Sequence, residues 1–243
     1  YESLYNTTGL EGMNFGSVDS ISAAAVENGA KITWSSVPSA TTYEVYRKLA
    51  SSSDWQKIAT VTKTEYTDTS ISSGVTYNYK VKAINGKYVA EMSCDAATVK
   101  FLAMPVIGSV VITNGAVKLE WNAIQGADSY NVYRVEAGKT NWVKIGNATT
   151  RNFSDTTAAL NVDYKYTVSA VSGDVESKYG INCKDAVNFG TITTITATPV
   201  SGGAKISWNA LSKATSYELY RKAGSGAWAK LATVTTTSYT DTT

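Results

Sequence analysis

Residues able to do chemistry are few here, and most recur at a fixed interval. Asp68, Asp155 and Asp241 each sit in a Thr-Asp-Thr or Ser-Asp-Thr setting. Such a carboxylate could serve calcium, but Ca²⁺ collects several oxygen ligands, and no dense Asp/Glu cluster accompanies these positions. A turn suits the setting better, with the side chain accepting hydrogen bonds from nearby backbone N–H groups. The chain has no histidine. That removes imidazole general bases, Ser-His-Asp and Cys-His arrangements, and imidazole metal sites together. Cys94 and Cys183 are too few for a thiolate zinc site. They recur about one interval apart, at the same end of successive blocks roughly 30 Å long, which is beyond disulfide reach. Both are read as unpaired thiols, and they leave the redox compartment open. Carboxylates such as Glu176 and Asp185 lack a companion motif for glycoside hydrolysis. Gly202-Gly203 precedes no helix, so it is no phosphate loop. No catalytic residue, cofactor or metal ligand is expected.

Aromatic residues offer the one surface constellation. Trp55, Trp142 and Trp228 recur once per block, and Tyr46, Tyr133 and Tyr220 occupy outward positions on the neighbouring strand. With Arg47, Arg134 or Arg221 beside them, these rings could stack on sugars. The competing reading is that each Trp covers the edge of its own sheet against Tyr or Arg, at about 0.5–1 kcal/mol per exposed cation–π contact. Single surface aromatics are ordinary, which favours that second reading. Three sugar-stacking copies would act through avidity.

What must position these side chains is a repeated block. Lys31-Ile-Thr-Trp34 with Tyr43-Glu-Val-Tyr-Arg47 returns as Lys118-Leu-Glu-Trp121 with Tyr130-Asn-Val-Tyr-Arg134. It returns again as Lys205-Ile-Ser-Trp208 with Tyr217-Glu-Leu-Tyr-Arg221, so the tryptophans at 34, 121 and 208 are 87 residues apart both times. That period exceeds a solenoid unit and suits a small self-sufficient domain, near the size at which one core suffices without disulfides. Alternation of period two predicts strands: Ile32 and Trp34 inward, Tyr43 and Val45 inward, then Tyr77, Tyr79, Val81 and Ala83 inward with Asn78, Lys80 and Lys82 outward. Turn pairs such as Asn28-Gly29, Asn85-Gly86 and Asn114-Gly115 separate the runs. No segment holds a helical period, and the spacing of the strands predicts an all-β sandwich or barrel.

Blocks are expected over 18–104, 105–190 and 191–243. Residues 1–16 match Val175 to Gly190, the end of a block, so 1–17 reads as the final strand of a preceding one. Tyr239-Thr-Asp-Thr-Thr243 corresponds to Tyr66-Thr-Asp-Thr-Ser70, so the third block is expected to lack its last two strands. A fragment of a longer chain accounts for both ends better than self-complementation.

Trp34, Tyr43-Glu-Val-Tyr-Arg47, Tyr66-Thr-Asp-Thr69 and Ile71 to Ala83 together resemble a fibronectin type III domain. Tyr77, six residues after Ile71, matches that family's tyrosine corner. Tyr164 matches it too, with Ala158 at the aliphatic position and Leu160 nearby. The resemblance covers essentially the whole chain. It implies seven-stranded immunoglobulin-like sandwiches in tandem, end to end, with no catalytic site belonging to the family. The Thr/Ser-rich style is similar to such repeats in large surface or secreted proteins of Gram-positive bacteria.

A net charge of +2 gives no electrostatic case for nucleic acid. No apolar run approaches bilayer length, so no membrane insertion is expected within this segment. Sequons at Asn6, Asn147 and Asn152 would matter only in a eukaryotic secretory pathway. The expectation is a non-enzymatic, extracellular or cell-surface spacer, stalk or adhesion segment, with short joints at Leu102-Ala-Met-Pro105 and Phe189-Gly190-Thr191. Its partners would be other surface proteins or glycans. One alternative is a carbohydrate-binding accessory module of a polysaccharide-degrading enzyme; another is a filament subunit assembling by strand complementation. Head-to-tail association is possible for such blocks but is not the favoured expectation.

Overall fold

The computed structural model describes residues 16–86, 88–93 and 95–243. The reading of 1–17 as a strand remnant, but for Gly16 and Ser17, lies outside the described residues, and so does Cys94. Among the described residues every helix or strand assigned is a strand, and no helix is long and apolar enough to cross a membrane.

The first block holds β1 (Ile21–Val26), β2 (Gly29–Trp34), β3 (Thr42–Leu49), β4 (Gln56–Val61), β5 (Glu65–Asp68), β6 (Thr76–Asn85), β7 (Tyr88–Val89) and β8 (Ala97–Lys100). One sheet has the order β1-β2-β5; the other has β4-β3-β6, with β7 and β8 along the far side of β6. All these pairs are antiparallel, and β3 lies on β6 with Tyr43 opposite Ala83, Val45 opposite Val81 and Arg47 opposite Tyr79. Antiparallel sheets covered on one face alternate in burial. β6 does so over its length, burying Tyr77, Tyr79, Val81 and Ala83. Ile32 and Trp34 from the first sheet meet Tyr43, Val45, Tyr79 and Val81 from the second in one core.

Large rings fill the space between the sheets. Trp34 and Tyr43 pack edge to face at 5.6 Å. The Tyr43 hydroxyl accepts the Val37 N–H at 3.0 Å, and Tyr130 and Tyr217 do the same for Ile124 and Leu211. Tyr77 takes the corner role expected of it: its hydroxyl accepts the Ser72 N–H at 3.1 Å. A buried phenol thus keeps a partner for its oxygen without leaving the core.

The second block repeats the order with β9 (Ile107–Thr113), β10 (Ala116–Trp121), β11 (Ser129–Glu136), β12 (Val143–Ala148), β13 (Asn152–Asp155), β14 (Asp163–Ser172), β15 (Val175–Glu176) and β16 (Lys184–Val187). Its sheets run β9-β10-β13 and β12-β11-β14, with β15 and β16 on β14. The third set is β17 (Ile195–Val200), β18 (Gly203–Trp208), β19 (Tyr217–Arg221), β20 (Ala229–Val234) and β21 (Ser238–Asp241). It forms β17-β18-β21 and the pair β19-β20. A register shift between Leu219 and Tyr220 in that pair reproduces the one between Val45 and Tyr46.

Candidate functional site

The recurring aspartates do interior work. Asp68, at the end of β5, is fully buried. Its Oδ2 accepts Arg47 Nη1 at 2.7 Å and the Tyr79 hydroxyl at 3.0 Å. Its Oδ1 accepts the Ser70 N–H at 3.0 Å and the Ser70 hydroxyl at 2.7 Å. Asp155 has the same surroundings, with Arg134 at 2.7 Å, Tyr166 at 2.8 Å and Thr157 through both N–H and hydroxyl. Asp241 keeps Arg221 and Thr243. The turn reading therefore holds for these side chains, with an ion pair added to it. Burial pushes the Asp68 carboxyl up, but the hydrogen bonds from Ser70, Arg47 and Tyr79 outweigh it and leave the group below its ordinary value. Burial beside that carboxylate in turn drives the Tyr79 phenol up.

This geometry corrects the expected grouping of the arginines with the outer rings. Arg47 and Arg134 turn to Asp68 and Asp155, and lie over Tyr77 at 5.2 Å and Tyr164 at 4.4 Å. The reason is the strand period: residues 46 and 47 project to opposite faces, as do 133 and 134.

The outer face of β3, β4 and β6 carries a different set. Lys48 Nζ lies 5.4 Å and Lys80 Nζ 5.9 Å from the Trp55 ring, and Lys82 Nζ lies 5.4 Å from the Tyr46 ring. The Tyr46 hydroxyl donates to Glu44 at 2.7 Å, and Lys57 donates to the other Glu44 oxygen at 2.9 Å. The Lys57 and Tyr46 hydrogen bonds hold the Glu44 carboxyl below its usual range. Desolvation and the Glu44 carboxylate push the Tyr46 phenol up to about 12. The third set keeps this pattern: Tyr220 donates to Glu218 at 2.8 Å, Lys230 donates to it at 2.6 Å, and Lys222 lies 5.2 Å from the Trp228 ring. Trp228 is 63% exposed and Tyr220 51%.

The second block departs from this. Tyr133, expected outward and accessible, is only 7% exposed, and its outward neighbours Asn131, Thr167 and Ser169 are buried with it. Beyond β15 the chain folds back beside Trp142. The Gly180 N–H donates to the Thr167 hydroxyl at 3.1 Å, and a Cβ at Gly180 would lie 3.2 Å from Trp142 Nε1. Gly180 has φ +87°, a backbone conformation that favours glycine. Small side chains make the approach feasible, since Thr167 and Ser169 stand where the first block has Lys80 and Lys82. So lysine ammonium groups lie against Trp55, Tyr46 and Trp228, whereas in the second block Val135, Thr167 and Ser169 replace three of the four face lysines and Lys144 remains. The lysines were legible as outward residues of β6; their meeting with Trp55 depends on β4 curling next to β3, which no local pattern announces.

Cys183 is a half-buried free thiol whose Sγ lies 3.2 Å from the Gly180 carbonyl oxygen. Burial pushes that thiol up, away from the reactive thiolate. Among the described residues no group of three or more His, Cys, Asp or Glu is placed to hold a metal ion.

Two antiparallel sheets, three strands against five with β7 and β8 both paired to β6, and the tyrosine corner at the base of β6 decide the architecture. The chain is built of tandem fibronectin type III-like sandwiches. No protein-family model matches it. Exoglucanase B of Cellulomonas fimi is 28% identical over 237 residues, which takes in 83% of this chain and 20% of that protein. A poly(3-hydroxybutyrate) depolymerase of Ralstonia pickettii is 33% identical over 97 residues, 39% of this chain and 18% of that protein. The fibronectin type III-like chain thus spans about one fifth of the length of the curated relatives it matches. Similar solved structures include the FN1–FN3 domains of chicken CNTN1, 17% identical with TM-score 0.37 over 71% of this chain and 67% of that one. A two-domain fibronectin type III segment of chicken tenascin is 18% identical with TM-score 0.39, over 70% and 98%. An Fn3-like protein from Clostridium thermocellum is 32% identical with TM-score 0.32, over 35% and 90%.

Proposed function

We propose that these sandwiches form a non-catalytic accessory segment of an exported bacterial enzyme that degrades a polymer, and that they hold carbohydrate through the aromatic faces around Trp55 and Trp228. The blocks in this reading run 18–104, 105–190 and 191–243, with 1–17 belonging to a preceding one. One observation carries it. Similar sequence occurs in an exoglucanase and in a poly(3-hydroxybutyrate) depolymerase, each time over no more than a fifth of the enzyme. A segment shared by proteins named for unlike polymers is not what distinguishes their chemistry, so an accessory role fits it. The absence of histidine from the sequence fits a role outside catalysis as well.

A spacer or stalk role, on a secreted or surface protein, is the second reading. It is favoured by the covered outer face around Tyr133 and Trp142, because only two of three aromatic faces then remain for avidity. Depletion assays with the intact chain separate the two. Retention on insoluble or gel-embedded polysaccharide, lost in a Trp55→Ala/Trp228→Ala variant, is expected of the accessory module. Passage of the native chain past every polysaccharide offered would leave only the spacer.

A further inference from the structure

Resting on that accessory reading, we propose that the face of β3, β4 and β6 takes an acidic, carboxylate-bearing polysaccharide rather than a neutral one. The ring that a neutral sugar would stack on is already engaged: Lys48 and Lys80 stand within 6 Å of Trp55, and Lys82 stands at the same range from Tyr46. A neutral pyranose would have to displace those ammonium groups and forfeit their contacts with the rings. An acidic sugar can keep them, laying its C–H surface along the exposed part of the aromatic and its carboxylate on the ammonium.

The local charge agrees. Lys48, Lys57, Lys80 and Lys82 bring four ammonium groups to this face, against the carboxylates of Glu44 and the neighbouring Asp54. Glu44 already accepts both Lys57 and Tyr46, so its charge is partly offset in place and opposes an arriving anion less, leaving Lys48, Lys80 and Lys82 as the ammonium groups that face the ligand. The same Glu-Tyr-Lys-Trp-Lys set recurs as Glu218, Tyr220, Lys222, Trp228 and Lys230, with the same hydrogen bonds. In the second block its members read Asn131, Tyr133, Val135, Trp142 and Lys144. The acid and the ring-covering lysine are lost together exactly where the face is covered, as expected of a set that works as a unit. Lysine rather than arginine points to diffuse carboxylate binding along a chain, not to bidentate capture of a phosphate.

The test is affinity electrophoresis of the intact 243-residue chain in gels holding polygalacturonate, an uncharged soluble glucan, or duplex DNA. Polygalacturonate should retard the protein, and the effect should vanish at roughly 1 M salt, where screening reaches within about 3 Å. Lys48→Gln/Lys80→Gln should weaken it by roughly tenfold, the loss of two unscreened ion contacts of about 0.7 kcal/mol each. Lys144→Gln, at the covered face, should match the native chain. Melting curves confirm that each variant is folded. Retardation by the neutral glucan alone would overturn the acidic-ligand proposal and leave the accessory reading standing. Equal retardation by DNA would reduce it to general polyanion exchange, an unaffected double variant would remove this face from the site, and no retardation by any polymer would defeat both readings.

Discussion

Tyr46 and Tyr133 occupy the same position of successive sandwiches, yet one carries Lys82 against its ring and the other is 7% exposed. Their interiors show no such divergence. Asp68 and Asp155 are both buried, both take an arginine at 2.7 Å, and both take a tyrosine hydroxyl from the next strand at 3.0 and 2.8 Å. The difference teaches which parts of the repeat the fold constrains. Two sheets cannot close over an unpaired carboxylate, so the Arg-Asp-Tyr set is kept whole. An outer face has no such requirement. Exchanging Lys80 and Lys82 for Thr167 and Ser169 lets a following segment lie down on it.

The sharpest way to break the likeness of the interiors is to remove one partner of the buried pair. Asp68→Ala and Asp155→Ala should each cost about 3–5 kcal/mol, because an arginine and a phenol are left without their acceptor. Urea unfolding of the whole chain checks this, and the two losses should be alike. A clear inequality would mean that the two networks are not equivalent despite their matching distances. Trp34→Ala belongs in the same range, about 3–5 kcal/mol, for the cavity it would leave under Tyr43.

Acid should reveal the same interiors. The Asp68 and Asp155 carboxyls lie below their ordinary value of 3.8 in the folded chain, despite burial, owing to their hydrogen bonds. A depressed folded value means stabilisation that is fully present above the unfolded value and is lost as pH falls through the folded one. Melting temperature should therefore drop as pH passes below 3.8. Asp68→Asn/Asp155→Asn should start lower and show a shallower decline. A double variant with the native slope would assign the acid sensitivity to other carboxylates.

Smaller effects sharpen the contrast between the exteriors. Gly180→Ala places a Cβ against Trp142 at a φ of +87°, which should cost about 1–3 kcal/mol and loosen the cover. Acrylamide quenching should rise for Trp142 in a variant keeping it as the only surface tryptophan; unchanged quenching would show that Gly180 does not hold the cover down. Lys48→Gln in the first sandwich should cost only about 0.5–1 kcal/mol, the worth of one exposed cation–π contact.

Much of the fold was readable because its causes are local. Trp34 and Tyr43 recur at a constant step, period-two alternation marks β2, β3 and β6, and Tyr77 after Ile71 marks the corner. The placement of Arg47 was readable too, since alternation sends it away from Tyr46, but grouping by sequence proximity obscured it. The fate of Tyr133 was not readable. It depends on a glycine turn at Gly180 and on small residues of the neighbouring strand β14, a long-range fit with no periodic signature. The lysines around Trp55 lie between these cases: outwardness is local, convergence on one ring is tertiary.

Lysine acetylation footprinting of the intact chain, with and without polygalacturonate, tests most directly that one outer face is open for binding and its counterpart is closed. Lys48, Lys80 and Lys82 should lose reactivity when the polymer is present, and Lys144 should react equally in both samples. Protection spread evenly over all four, or found at Lys144 and not at Lys48 and Lys80, would contradict it.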